Sequence, residues 1–169
     1  MKHVYTQPYV VVSGLIIDDD DKILLVKENH RPDKGKWNLP GGKLQLAEDP
    51  QDAVIREVKE ETGLDFIPKS IAGIHSIYRK DVANSSDLHV IKIVFCGSAK
   101  GTINNDQNEI INGEQEIAQQ KWLKAKSILA MEDRRLRYHD TKACIIKVLS
   151  DEMLPLNLIN HIVQDANPN

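Results

Sequence analysis

The sequence predicts a mixed α/β domain, on three observations. Runs rich in β-branched and apolar residues recur along the chain, at residues 9–17, 23–26, 71–79 and 88–95. One segment between them, residues 50–61, is bounded by clear helix start and stop signals. The chain also has 169 residues, 41% of them hydrophobic and 28% charged, which is enough to bury one core without staples and leaves no room for collagen, coiled-coil or wholly disordered readings. A single domain over residues 1–169 is therefore expected.

Taken in order, residues 9–17 and 23–26 look like the two arms of a β-hairpin, with Asp18, Asp19, Asp20 and Asp21 as its solvated turn. Residues 28–36 hold Pro32, Gly35 and several charges and form a loop. Trp37-Asn38-Leu39-Pro40 is extended, because a proline disfavours helix in the residue before it. The helix at 50–61 has Asp49 as N-cap, Pro50 at its first position and Gly63 just past its end. Residues 71–79 and 88–95 make a second antiparallel pair around the Asn84-Ser85-Ser86 loop. Residues 101–113 are polar and irregular, and a last strand at 116–123 leads to helices near 125–131 and 141–149. The tail after Pro155 is expected to fray.

Composition narrows the function. The longest apolar run falls far short of the roughly 18–20 residues of a membrane helix, and the N-terminus leads into aspartates where a cleavage site would lie. A cytoplasmic protein is expected. The net charge of −3 offers no general attraction to nucleic acid or anionic membrane, so a phosphate-bearing ligand must be held locally. Cys96 and Cys144 have no CxxC or Cys/His spacing, which favours buried thiols over a disulfide or a zinc site.

On a helical wheel at about 100° per residue, Glu57, Glu60 and Glu61 fall within one arc of roughly 100°, and Val54, Ile55 and Val58 occupy the arc beside it. One flank thus faces the core and the next carries three mutually repelling carboxylates. Two readings follow: a solvated acidic face with Lys59 as counter-charge, or a site for a hard cation such as Mg²⁺ or Mn²⁺, which takes oxygen ligands.

The surroundings favour the second. From Gly42 the chain runs through five residues to Glu48, seven more, and then Arg56-Glu57-Val58-Lys59-Glu60-Glu61-Thr62-Gly63-Leu64. This resembles, without a departure, the box of the Nudix hydrolases, G-x5-E-x7-R-E-U-x-E-E-x-G-U with U apolar. An accidental match in a chain this long has odds on the order of one in a million. Trp37 ahead of Pro40-Gly41-Gly42, and Glu116-Ile117 five to six residues before Trp122, extend the similarity.

The resemblance implies an α/β/α sandwich with a mixed sheet and a loop-helix-loop motif, and Mg²⁺- or Mn²⁺-dependent hydrolysis of a diphosphate linked to another moiety. By the same resemblance Glu57, Glu60 and Glu61 are metal ligands, joined by the Gly42 carbonyl, and Glu48 and Arg56 support them. Glu57 or Glu116 is the general base, with Glu114 the nearest rival of Glu116. Arg31, Lys43 and Arg79 are candidates to touch phosphate; Lys36 and the arginines after Met131, among them Arg137, are weaker ones. Nucleoside di- or triphosphates or related small diphosphates lead as substrates: residues 116–149, with Trp122, Leu129 and Leu136-Arg137, resemble small bacterial Nudix phosphatases of such compounds, the SQPWPFPxS element of NADH pyrophosphatases is absent, and Ile77-Tyr78 stands where ADP-ribose hydrolases often carry proline. An ADP-sugar or diadenosine polyphosphate hydrolase, and a non-catalytic ligand-binding module, are the alternatives. A homodimer is common in the family, and no stretch of the sequence supplies its interface.

Overall fold

The computed structural model describes residues 8–79, 88–103, 110–111 and 114–163. Along the chain come β1 (Tyr9–Ile16), β2 (Lys22–Glu28), β3 (Trp37–Asn38), α1 (Pro50–Thr62), β4 (Asp65–Arg79), β5 (Leu88–Lys100), the short pair β6 (Ile110–Ile111) and β7 (Glu114–Gln115), β8 (Ile117–Lys124), α2 (Ala125–Leu129) and α3 (Asp140–Leu149). The strands sort into a mixed sheet, β1-β5-β4, in which β1 runs parallel and β4 antiparallel to β5, and an antiparallel sheet, β3-β2-β8.

This corrects the expected first hairpin. The aspartate turn is present, with Asp18 Oδ1 accepting from the N–H groups of Asp20 and Lys22 at 2.9 and 2.8 Å. The strands it joins go to different sheets, meeting only through a bridge between Ile17 and Ile23. The physical reason is burial on both faces: Val12 and Ile16 point into one cluster and Leu15 into the other, so β1 needs a neighbour that can be covered on both sides. The pair of β4 and β5 forms as expected, both strands longer than predicted; the 84–86 loop lies outside the described residues, as do 104–109 and 112–113 of the polar stretch.

Alternation along the strands builds two cores. Val12, Ile16, Leu24, Ile93 and Phe95 meet Ala53, Val54 and Val58 of α1, whereas Leu15, Leu25, Val94 and Cys96 meet Ile128 of α2 and Cys144 and Ile145 of α3. Helices on opposite faces of the strand layer make the α/β/α arrangement. Both cysteines are free and buried. From the tail, Leu154 pairs with the backbone of Ile71 and Leu156 packs on the α1-side core, while residues 164–169 lie outside the described residues. Among the described residues no helix is long and apolar enough to cross a membrane.

α1 is capped as its sequence signals. Asp49 Oδ1 accepts from Gln51 N–H at 2.7 Å, and Gly63 adopts φ 75° while its N–H bonds to Lys59. Its faces differ from the wheel expectation. Ile55 is exposed, and Glu61 is 4% exposed on the core side with Val54, Val58 and Thr62. The carboxylate arc therefore overlaps the buried face.

Candidate active site

The loop from Pro40 to Asp49 lies against β1 and α1. Backbone bonds from Val12 N–H to the Gly42 carbonyl (2.9 Å), from Gly14 N–H to the Pro40 carbonyl (2.8 Å) and from Leu44 N–H to the Val10 carbonyl (3.0 Å) hold it there. Both glycines are needed for this approach: a Cβ at Gly41 would collide with the Val12 carbonyl, and one at Gly42 would occupy the space of the Glu57 carboxylate. The Gly42 carbonyl has thus committed one lone pair to β1 and keeps the other.

Arg56 is the hub of the acidic cluster. Its Nε and Nη2 donate to the two oxygens of Glu48 at 2.7 and 2.9 Å, and Nη1 donates to Glu57 Oε1 at 2.8 Å and Glu60 Oε2 at 3.1 Å. A fork with five donors can do this and a lysine cannot. Glu48 also accepts Gln45 N–H at 2.9 Å, so the guanidinium is itself tied to the loop. The result holds the Glu48 carboxyl below its usual range, chiefly through the Arg56 hydrogen bonds.

Glu61 and Glu57 are held differently. Glu61 Oε2 accepts Gly41 N–H at 2.8 Å, yet Glu61 forms no ion pair among the described residues. Burial, and then Glu28 and Glu116 close by, drive its carboxyl well above the usual range. Burial also raises Glu57, more than Arg56 offsets.

Glu57, Glu60, Arg56, Gly42, Lys43, Glu116 and Arg79 all line one cavity of about 870 Å³. Glu61 lies behind that lining and Glu48 behind Arg56. Arg31 is exposed and is not among the lining residues, and the Glu114 side chain lies outside the described residues.

The same cavity takes lining residues from a second hub that sequence reasoning missed. Asp33, 2% exposed, accepts from Lys36 Nζ at 3.0 Å and from Arg79 Nη1 at 3.0 and 3.1 Å, with Arg137 Nε 3.3 Å away. Burial alone would raise its carboxyl; the hydrogen bonds from Lys36 and Arg79 outweigh that and hold it below the usual range. Arg137 also donates to Glu28 Oε1 at 2.7 Å, which in turn accepts Asn38 Nδ2 at 3.0 Å. Arg79, Arg137, Asn38 and Tyr138 line the cavity. Nothing in the 28–36 loop marks Asp33 off from its charged neighbours.

In chemical terms the cavity is lined both by carboxylates in excess over Arg56 and by the guanidinium donors of Arg79 and Arg137. The acidic cluster fits a hard divalent cation: the donors are carboxylates and a backbone carbonyl, and a wholly buried Glu61 has no counter-charge of its own.

A family model described as a NUDIX domain matches residues 8–142. An ADP-ribose pyrophosphatase of Methanocaldococcus jannaschii is 46% identical over 92 residues, 54% of this chain and 52% of that protein. An 8-oxo-dGDP phosphatase of Homo sapiens is 36% identical over 64 residues, 38% of this chain and 20% of that protein. The chain thus spans about half or less of the length of these curated relatives. Among solved structures, a NUDIX hydrolase from Nitrosomonas europaea superposes with a TM-score of 0.74 and 28% identity, covering 92% of this chain and 98% of that one.

Proposed function

This chain belongs to the NUDIX domain family, and from that membership we propose that it is a divalent-metal-dependent hydrolase of compounds in which a nucleoside diphosphate is linked to another group. The observation that carries the proposal is the Arg56 hub, which gathers Glu48, Glu57 and Glu60 beside a cavity behind which Glu61 is buried without an ion-pair partner among the described residues. Three carboxylates on one guanidinium, and a fourth buried without an ion pair, call for further positive charge.

Glu57, Glu60, Glu61 and the free lone pair of the Gly42 carbonyl would hold Mg²⁺ or Mn²⁺, which supplies charge neutralisation for the diphosphate and acidifies a water. The protein's own residues do the rest. Arg56 fixes the Glu57 rotamer through Oε1, leaving Oε2 with no hydrogen bond among the described residues and able to take a proton from the attacking water. That water's oxygen then bonds to phosphorus as the anhydride P–O bond breaks and the leaving phosphate departs with the electron pair. Glu116, half-buried on the same cavity, is the other candidate base. Arg79 and Arg137, steadied by Asp33, bind the anionic remainder of the substrate.

Nucleoside di- and triphosphates and related small diphosphates are the leading substrates. ADP-ribose is the second reading, favoured by the 46% identity to a protein named for cleaving it. The test is product identification across these compounds and diadenosine tetraphosphate, with Mg²⁺ and with chelator. Metal-dependent release from one group is expected; a folded protein inert on all of them, with Mg²⁺ still bound, would overturn the hydrolase reading in favour of a binding module.

A further inference from the structure

Beneath the cavity wall, on the face of the mixed sheet opposite α1, side chains from β4 and α3 converge. His75 Nε2 lies 3.2 Å from Cys144 Sγ, and these atoms and a carboxylate oxygen of Asp140 are all within 4.8 Å of one another. Asp140 and Cys144 are four residues apart on α3 and so share a face, and His75 stands opposite Lys92 in the β4–β5 register. Cys144 is fully buried, the Asp140 side chain is 5% exposed, and His75 is half-buried.

Asp140 is incompletely satisfied. Both of its carboxylate oxygens are buried without a hydrogen-bond partner among the described residues, Oδ2 lying 3.2 Å from Nζ of the wholly buried Lys92 as an ion pair. A buried bare carboxylate oxygen is costly and calls for a donor or a cation. The atoms beside it are an imidazole nitrogen and a sulfur. One nitrogen, one sulfur and one carboxylate oxygen form a borderline-soft set that suits Zn²⁺ and disfavours Mg²⁺. In a tetrahedral zinc site such atoms stand about 3.4–3.6 Å apart; the His75–Cys144 separation of 3.2 Å is close to that, and the remaining ones, within 4.8 Å, close by side-chain rotation.

We propose that His75, Asp140 and Cys144 form a zinc site, separate from the Glu57 cluster, that clips α3 to the mixed sheet. No spacing motif announces it, because one ligand comes from β4 and two from α3. Binding turns the Cys144 thiol into a thiolate and passes its proton to solvent; thiolate and carboxylate then match the charge of the ion. Burial raises the free thiol to about 12, so the metal has to displace that proton, and burial keeps His75 neutral and able to ligate. Of the cations nearby, Lys92 is ion-paired with Asp140 Oδ2, and Lys147 acts only at longer range. Lys92 Nζ also lies 4.5 Å from the ring centroid of Tyr138, so the clip steadies a residue of the cavity wall.

The test uses the full chain, reduced and stripped of metal, titrated with Co²⁺ in excess Mg²⁺. One equivalent giving a thiolate-to-cobalt absorption band, displaced by Zn²⁺, is expected. The band should persist in Glu57→Gln and vanish in Cys144→Ser and His75→Gln, with circular dichroism reporting the fold of each; His75→Gln decides if Cys144→Ser does not fold. No band in the folded wild type, or a band that survives the loss of His75 or Cys144, overturns the site and leaves a His–Cys hydrogen bond beside a buried ion pair.

Discussion

Two hubs of opposite sign contribute side chains to the lining of one cavity. At one, a single guanidinium, Arg56, is surrounded by Glu48, Glu57 and Glu60; at the other Asp33 is surrounded by Lys36, Arg79 and Arg137, of which Arg137 also pairs with Glu28. Each central group is outnumbered, so each hub carries excess charge of the kind its partners bring. The difference lies in what each hub lacks: the first needs a cation and the second an anion. A diphosphate with a bound metal ion offers both, and the cavity that joins the hubs can hold them together.

The acidic hub breaks most completely at Glu57. Glu57→Gln keeps the shape and the acceptor for Arg56 but removes the charge and the base, and turnover of the responding substrate should fall by about two to four orders of magnitude. Thermal stability should hold, since a buried carboxylate has been neutralised. The parallel measurement on Glu116→Gln separates the two candidate bases: the larger fall in kcat marks the proton acceptor, and a near-normal rate in Glu57→Gln removes it from the chemistry.

The basic hub breaks at Asp33 and fails in a different way. Asp33→Asn leaves Arg79 and Lys36 without their counter-charge while Arg137 keeps Glu28, and the cost should be about 2 kcal/mol, below that of a fully buried pair because the cations are about one-third exposed. A denaturant midpoint reads this directly. With the guanidiniums unanchored, KM should rise more than kcat falls; an unchanged midpoint and KM would make Asp33 an ordinary loop residue.

The two hubs also differ in how far the sequence announces them. Glu48, Arg56, Glu57, Glu60 and Glu61 lie within fourteen residues, on one helix and the loop before it, so local periodicity and caps suffice to group them. Asp33, Arg79 and Arg137 come from a loop, the end of β4 and the turn before α3, and only tertiary structure joins them. The same limit explains the first hairpin: local alternation marks β1 and β2 as strands, but partner choice depends on β5 and β8, about 80 and 100 residues on. Ile55 and Glu61 show a subtler limit, since a wheel ranks residues by polarity, whereas packing buried a glutamate that a backbone N–H could satisfy.

The finest test of the comparison is the sign of each hub's response to pH. Asp33 has a depressed carboxyl, so its contribution to stability is whole above the unfolded value near about 4 and is lost as pH falls through the folded value. Glu61 has a raised one, so in chelator its contribution is present below about 4 and is lost as pH rises through the folded value. Urea midpoints from pH 3 to 8 should therefore show the wild-type advantage over Asp33→Asn growing with pH, and the advantage over Glu61→Gln shrinking. Mg²⁺ should restore the second toward neutral pH and leave the first untouched, because a cation relieves only the hub that lacks one. Parallel responses at both hubs would mean that their carboxylates differ in partners but not in charge balance, and the complementarity inferred across the cavity would fail.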